Sequence, residues 1–146
     1  HVGPKHYRTF FQKARSCVRD DGLFLLHTIG SHEKKTAVDP WTNKYIFPGG
    51  VIPSFEQVSE AVKELFVIED MHNFGHDYYR TLMAWHENFI TAWPTLKATG
   101  KYDERFRRMW EYYLLSCAGA FKARRLQLWQ FVLSPKGVKG GYESVR

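Results

Sequence analysis

Cysteine is nearly missing from this chain of 146 residues, where Cys17 and Cys117 are the only two. Two are too few for a disulfide framework, which favours a reducing compartment. No uninterrupted apolar run approaches the ~20 residues that a membrane-spanning helix needs. GxGxxG and the P-loop are both absent, so no motif cradles a nucleotide, and there is no GxSxG elbow for a serine nucleophile. Internal repeats and low-complexity runs are missing too. The chain opens at His1 with no methionine, signal peptide or targeting segment, and so reads as a fragment or a processed product.

What is present describes a folded domain. Hydrophobic residues make up 44% and charged residues 25%, which excludes a disordered tail. The length is that of one domain, able to bury roughly two-thirds of its unfolded surface. The formal charge is +6, and it is uneven: from Lys101 onward there are 10 basic and 4 acidic residues, while residues 1–100 are neutral. A basic C-terminal third suits an anionic partner (phospholipid headgroups, nucleic acid or a phosphorylated substrate) or simply a solvated helix face. Aromatics reach 16%, with 5 Trp, 8 Tyr and 11 Phe. They fit base stacking, a pocket for a large apolar ligand, or core. No recognised nucleic-acid motif supports the first of these.

Periodicity predicts a helix over 5–18, with Tyr7, Phe10, Phe11, Ala14, Cys17 and Val18 on one face. Asp20-Asp21-Gly22 is a turn, and the apolar run from Leu23 to Ile29, closed by Gly30, reads as a central strand covered on both faces. Residues 31–53 read as irregular, broken by Pro40, Pro48, Pro53 and Gly49-Gly50. They carry enough aromatic residues to suggest a lid or binding loop. Ser54-Phe55-Glu56-Gln57 is a capping-box sequence opening a helix to about Leu65, and Phe66 to Met71 follows as a strand. A helix over 77–93 begins at Asp77 as N-cap and stops at Pro94. A long helix over 103–123 and a last strand from Leu126 to Leu133 complete the order. The first strand is left bare on one edge, as in the second half of a larger α/β domain.

Three places invite chemistry. His27 sits near the C-terminal end of the first strand, where open α/β sheets bind ligands. It suits a general base, an anion ligand, or a satisfied core histidine. His72, His76 and Asp77 follow another strand and invite a metal reading, which the lack of a second His/Cys cluster with metal spacing disfavours. Cys117, among Ser116, Ala118 and Gly119 in mid-helix, fits a small buried hydrophobe better than a nucleophile.

Several blocks together resemble the cyclopropane-fatty-acyl-phospholipid synthase family of mycolic acid cyclopropane synthase-like methyltransferases. They are Leu25-Leu26-His27-Thr28-Ile29-Gly30-Ser31, then Asp39-Pro40-Trp41 with Lys44-Tyr45-Ile46-Phe47-Pro48, then His72-Asn73-Phe74-Gly75 with Asp77-Tyr78. Thr81 to Trp85, Cys117-Ala118-Gly119-Ala120-Phe121 and Leu128-Trp129-Gln130 continue the match, which starts at His1. The resemblance implies an α/β chain forming the C-terminal half of a Rossmann-like S-adenosylmethionine-dependent methyltransferase fold, with extra helices making the acyl site. Residues 1–146 would be one part of one methyltransferase domain, its upstream cofactor-binding half absent.

The resemblance also implies an activity: a methylene from S-adenosylmethionine is added across the cis double bond of an unsaturated phospholipid acyl chain, with bicarbonate as base. His27, Ile29 (through its backbone) and Tyr78 match the bicarbonate-binding positions, and Cys117 matches an assigned active-site cysteine. A mid-helix thiol has no required step in such a mechanism, so His27 and Tyr78 are the stronger candidates. The family's glycine-rich cofactor loop, a bicarbonate-binding cysteine and a bicarbonate-binding glutamate are not in this sequence. The chain alone is therefore expected to be inactive, at most a basic module for anionic lipid surfaces. A sister methyltransferase on another unsaturated chain is the alternative for the parent. The expected partners are membrane phospholipid and its anionic surface at the inner face of the membrane, from a cytoplasmic peripheral position. No nucleic acid or metal is expected, and the oligomeric state is open.

Overall fold

A computed structural model describes residues 2–145, so His1, which opens the matched blocks, lies outside the described residues. The backbone falls into two units, His1–Phe74 with Gln127–Arg146, and Gly75–Leu126.

The first unit is a three-stranded sheet with helices on one face. A 3₁₀ turn at Pro4–His6 leads into α1 (Tyr7–Cys17), followed by β1 (Phe24–Gly30), α2 (Pro40–Tyr45), α3 (Phe55–Val62), β2 (Val67–Asn73) and, after the second unit, β3 (Gln127–Ser134). The spatial order is β1-β3-β2, and β3 is antiparallel to both neighbours. β1 and β2 therefore run parallel, with the last strand of the chain inserted between them. This corrects one expectation. The strand hydrogen-bonded on both sides is β3, buried along almost its whole length, whereas β1 is an edge strand whose residues alternate between half-buried and exposed. A short apolar run cannot reveal which strand is central, because that depends on pairing with a segment a hundred residues away.

The core lies on one face of the sheet. Phe11 of α1, Val58, Ala61 and Val62 of α3, Phe66, and Trp129, Phe131 and Leu133 of β3 form one buried cluster, with Phe24, Leu26 and Met71 packed against it. Phe131 and Leu133 are wholly buried. Fully burying side chains of this kind contributes roughly 1.5–3 kcal/mol each. α3 starts where its capping box predicts: Ser54 Oγ accepts from the Gln57 N–H at 3.2 Å, and Gln57 Oε1 accepts from the Ser54 N–H at 2.9 Å.

The segment expected to be irregular contains α2. Asp39 caps it, accepting from the Thr42 N–H at 3.0 Å, and Pro40 occupies the first turn, where a missing N–H costs nothing. The proline read as a breaker is here a helix starter. The base of this segment is closed by the Ser31 N–H donating to the Pro53 carbonyl at 3.0 Å.

The second unit is an antiparallel pair, α4 (Gly75–Ala98) and α5 (Glu104–Lys122). Tyr78 meets Phe121, Phe89 meets Phe106, and Lys97 pairs with Glu104 at 2.8 Å, which gives the pair its register. α4 differs from expectation at both ends. It begins at Gly75, with Asp77 in its first turn, and it continues through Pro94 to Ala98. Burial of Phe89 and Trp93 just before the proline holds the helix against the loss of one backbone hydrogen bond. Asp103 caps α5, accepting from the Phe106 N–H at 2.7 Å.

Candidate functional site

His27 lies on β1 with Leu25 and Ile29 on the sheet face away from the core, by the two-residue period of a strand. Register carries that face across the sheet. His27 stands opposite Gln130 of β3, and Gln130 stands opposite His72 of β2, so two imidazoles flank one carboxamide in a single row. Gln130 Nε2 lies 3.2 Å from His27 Nδ1. The expectation of a strand covered on both faces fails here, since Leu25 is 53% exposed and His27 is also exposed. Ile29 is half-buried two residues on. As an edge strand, β1 leaves the backbone groups of its outer side unpaired by β3.

A cavity of ≈ 270 Å³ is lined by Tyr7, Phe10 and Phe11 of α1 and by Leu26, His27 and Thr28 of β1. Because three consecutive strand residues line it, it runs along the strand's edge rather than over one face. Burial raises the Tyr7 phenol above its ordinary value, so its hydroxyl stays protonated. A larger cavity of ≈ 740 Å³ is lined by Arg8, Lys34, Glu56, Glu60, Lys63 and Glu64 among others and contains none of the sequence-predicted site residues. Its charged lining is that of a solvated groove.

At the C-terminal ends of β1 and β2 the structure adds a polar node that sequence reasoning missed. Gln127, only 4% exposed, accepts through Oε1 from Asn73 Nδ2 at 2.7 Å and from Trp129 Nε1 at 2.8 Å. Its Nε2 donates to His32 Nε2. One buried carboxamide thus ties the end of β2 and the segment after β1 to β3. Gln127 and His32 are 95 residues apart, and no local pattern signals the pair.

Tyr78 and Cys117 are brought together in the helical unit. The Tyr78 ring packs edge-on against Phe121 at 4.9 Å and Trp85 at 5.9 Å. Burial raises its phenol above the ordinary value, and Cys117 adds to the effect. Tyr113, one turn before Cys117 on α5, joins them. Burial first, then Cys117 and Tyr78, pushes its phenol up to about 12. Both phenols are therefore O–H donors throughout the physiological range. Tyr113 reads in sequence as one member of the apolar stripe of α5; its i, i+4 spacing from Cys117 is the signal that could have marked it. Cys117 is half-buried among these aromatics.

The His72, His76 and Asp77 cluster is divided. His72 belongs to β2, its ring 3.8 Å from that of Phe74, and His76 and Asp77 lie in the first turn of α4. Among the described residues no three His, Cys, Asp or Glu side chains converge where they could hold a metal ion.

Comparison with known proteins gives this arrangement its class. The cyclopropane synthase MmaA2 from Mycobacterium tuberculosis superimposes with a TM-score of 0.78 at 26% identity, over 91% of this chain and 51% of that one. The mycolic acid cyclopropane synthase CmaA1, complexed with SAH and CTAB, superimposes with the same score, identity and coverage. The fold is that of an α/β methyltransferase. The family described as mycolic acid cyclopropane synthetase matches residues 1–131, and the chain belongs to it. It is 53% identical over all 146 residues to the cyclopropane-fatty-acyl-phospholipid synthase of Escherichia coli, and spans 37% of that protein's length.

Proposed function

We propose that the parent of this chain is a cyclopropane-fatty-acyl-phospholipid synthase and that the chain is the C-terminal part of its single methyltransferase domain. The observation that carries this reading is the 53% identity over the whole chain to the Escherichia coli synthase. The reaction is transfer of a methylene from S-adenosylmethionine to the cis double bond of an unsaturated phospholipid acyl chain. No glycine-rich loop is present in the sequence, so the cofactor cradle is assigned to the upstream part of the parent, and the chain alone is inactive.

The donor set suits bicarbonate better than it suits the cofactor. His27 offers a ring N–H, Tyr78 offers a phenol that burial keeps protonated, and Ile29 lies on the edge strand β1. Bicarbonate, to which the family resemblance assigns His27 and Ile29 of the sheet unit and Tyr78 of the helical unit residue by residue, would supply the base that takes a proton from the added methyl. Phe121 and Trp85 pack edge-on against the Tyr78 ring and hold its orientation. Cys117 and Tyr113 complete that wall of the acyl site.

A specific surface favours a second reading for the chain by itself, as an anionic-lipid binding module. Arg105, Arg108, Tyr112, Leu115 and Lys122 are all exposed on α5, a stripe of cations and apolar groups. Each Lys or Arg near an anionic leaflet contributes about 1 kcal/mol. No helix among the described residues is long and apolar enough to cross a membrane, and the reading places the protein peripherally at the membrane's inner face.

The test is a chimera in which this chain replaces the matching 37% of the Escherichia coli synthase. It is given S-adenosylmethionine and unsaturated phospholipid vesicles with and without bicarbonate. Cyclopropane acyl chains that fall away when bicarbonate is removed are expected, with none from the chain alone. Methylated, uncyclised chains would overturn the product in favour of a sister methyltransferase. Equal, negligible sedimentation of the chain with anionic and neutral vesicles would remove the lipid-module reading.

A further inference from the structure

We infer that Gln130 is a positioning residue for His27, fixing the neutral imidazole as the tautomer that carries its proton on Nε2. The inference rests on the reading of His27 as an anion ligand. A carboxamide nitrogen has only N–H groups to offer, so Gln130 Nε2 at 3.2 Å makes His27 Nδ1 the acceptor. With Nδ1 occupied as an acceptor, the ring proton of the neutral side chain sits on Nε2, which becomes a donor. That is the form an oxyanion needs. The opposite tautomer would present a lone pair to the anion and repel it.

The position of Gln130 is set by the fold rather than by its own flexibility. It is the register partner of His27 on the central strand, paired on both sides, so its Cα moves little relative to β1. From α1 the phenol of Tyr7 lines the same cavity as His27, and Thr28 lines it from β1. Along the row of His27 stand Gln130 and, beyond it, His72. The flanking rows present Leu25, Val132 and Asp70 on one side and Ile29 and Leu128 on the other. The Gln130 carboxamide places its N–H against Nδ1 and, being neutral, adds no charge beside an anion site. Gln130 thereby orients the ring as well as the proton, holding it against rotation about its side-chain torsion.

The test has two arms. In the first, ¹⁵N-histidine spectra of the full chain report which ring nitrogen of neutral His27 carries the proton. Nε2–H is expected for the native chain, and Q130E, whose carboxylate can only accept, is expected to move the proton to Nδ1. Nδ1–H in the native chain, or an unchanged tautomer in Q130E, overturns the inference. In the second arm Q130M, similar in length but without a donor, is placed in the chimera described above. Half-saturating bicarbonate is expected to rise roughly five-fold, the effect of one ordinary hydrogen bond, with kcat at saturating bicarbonate retained. A fall in kcat with unchanged bicarbonate dependence would mark a merely structural role and overturn the inference. If the native chimera shows no bicarbonate dependence, the reading of His27 as an anion ligand fails, and the tautomer spectra still decide the role of Gln130.

Discussion

Replacing Gly30 by alanine puts a methyl carbon 2.1 Å from Cζ3 of Trp129 and 2.3 Å from its Cε3 and Cη2. Real Cβ contacts do not fall below about 3 Å, so the indole or the strand end must move by about 1 Å. The indole has little room. Trp129 is 2% exposed, with Phe55 and Phe131 edge-on to it at 6.0 and 5.8 Å, and its Nε1 donates to Gln127 at 2.8 Å. Overpacking a core of this density costs roughly 1–3 kcal/mol. Breaking the indole hydrogen bond leaves a buried donor unpaired, for roughly 1–3 kcal/mol more. G30A is therefore expected to destabilise the sheet unit by about 3 kcal/mol, read as a shift of the urea midpoint at unchanged m-value. Gln127 anchors Asn73 and the His32 segment, so histidine and asparagine side-chain resonances at that sheet edge should shift together. A loss under about 0.5 kcal/mol would refute the reasoning, because it would mean that Trp129 can retreat at no cost and that Gly30 is not needed for close approach.

Three further outcomes follow from the same structure. Pro94 is exposed inside α4 and lacks the N–H its position calls for, so P94A should stabilise the helical pair by about 1–3 kcal/mol, measured by urea unfolding followed at 222 nm. Tyr113 should ionise at about 12 in an ultraviolet titration, a step that Y113F removes. Because its folded value lies above its unfolded one, its contribution to stability is complete below pH 10 and is lost as the pH rises through about 12. In the chimera, Y78F should lower cyclopropane formation by at least about ten-fold, as expected for losing a hydrogen bond to a charged group, while C117S should retain most of it. A C117S variant as inactive as Y78F would return the thiol to the reaction.

Much of the helical part of this protein is written locally. The stripe of α1, the Ser54–Gln57 capping box of α3 and the Asp103 cap with the long apolar face of α5 each depend on residues within four positions of one another, and each element stands where the pattern puts it. Propensity rules failed where packing or position outweighed them. Pro94 does not end α4, because Phe89 and Trp93 anchor the turn before it, and Pro40 starts α2 because Asp39 caps it. The candidates His27, Ile29, Tyr78 and Cys117 were legible by resemblance, and the family membership that the resemblance pointed to is shown.

The sequence by itself determined α1, α3 and α5, the uneven charge and the family. Only the tertiary structure decided which strand is central, which face of β1 is open, and which side chains meet the candidate residues. Gln130 meets His27 across 103 positions, Gln127 meets His32 across 95, and Tyr113 feels the Tyr78 phenol only because α5 lies antiparallel to α4. The reason is the range of the forces involved. Helix periodicity and capping act over one or two turns, where the chain's own geometry places the partners. Strand pairing and buried hydrogen bonds join segments whose closeness exists only after the whole sheet has formed.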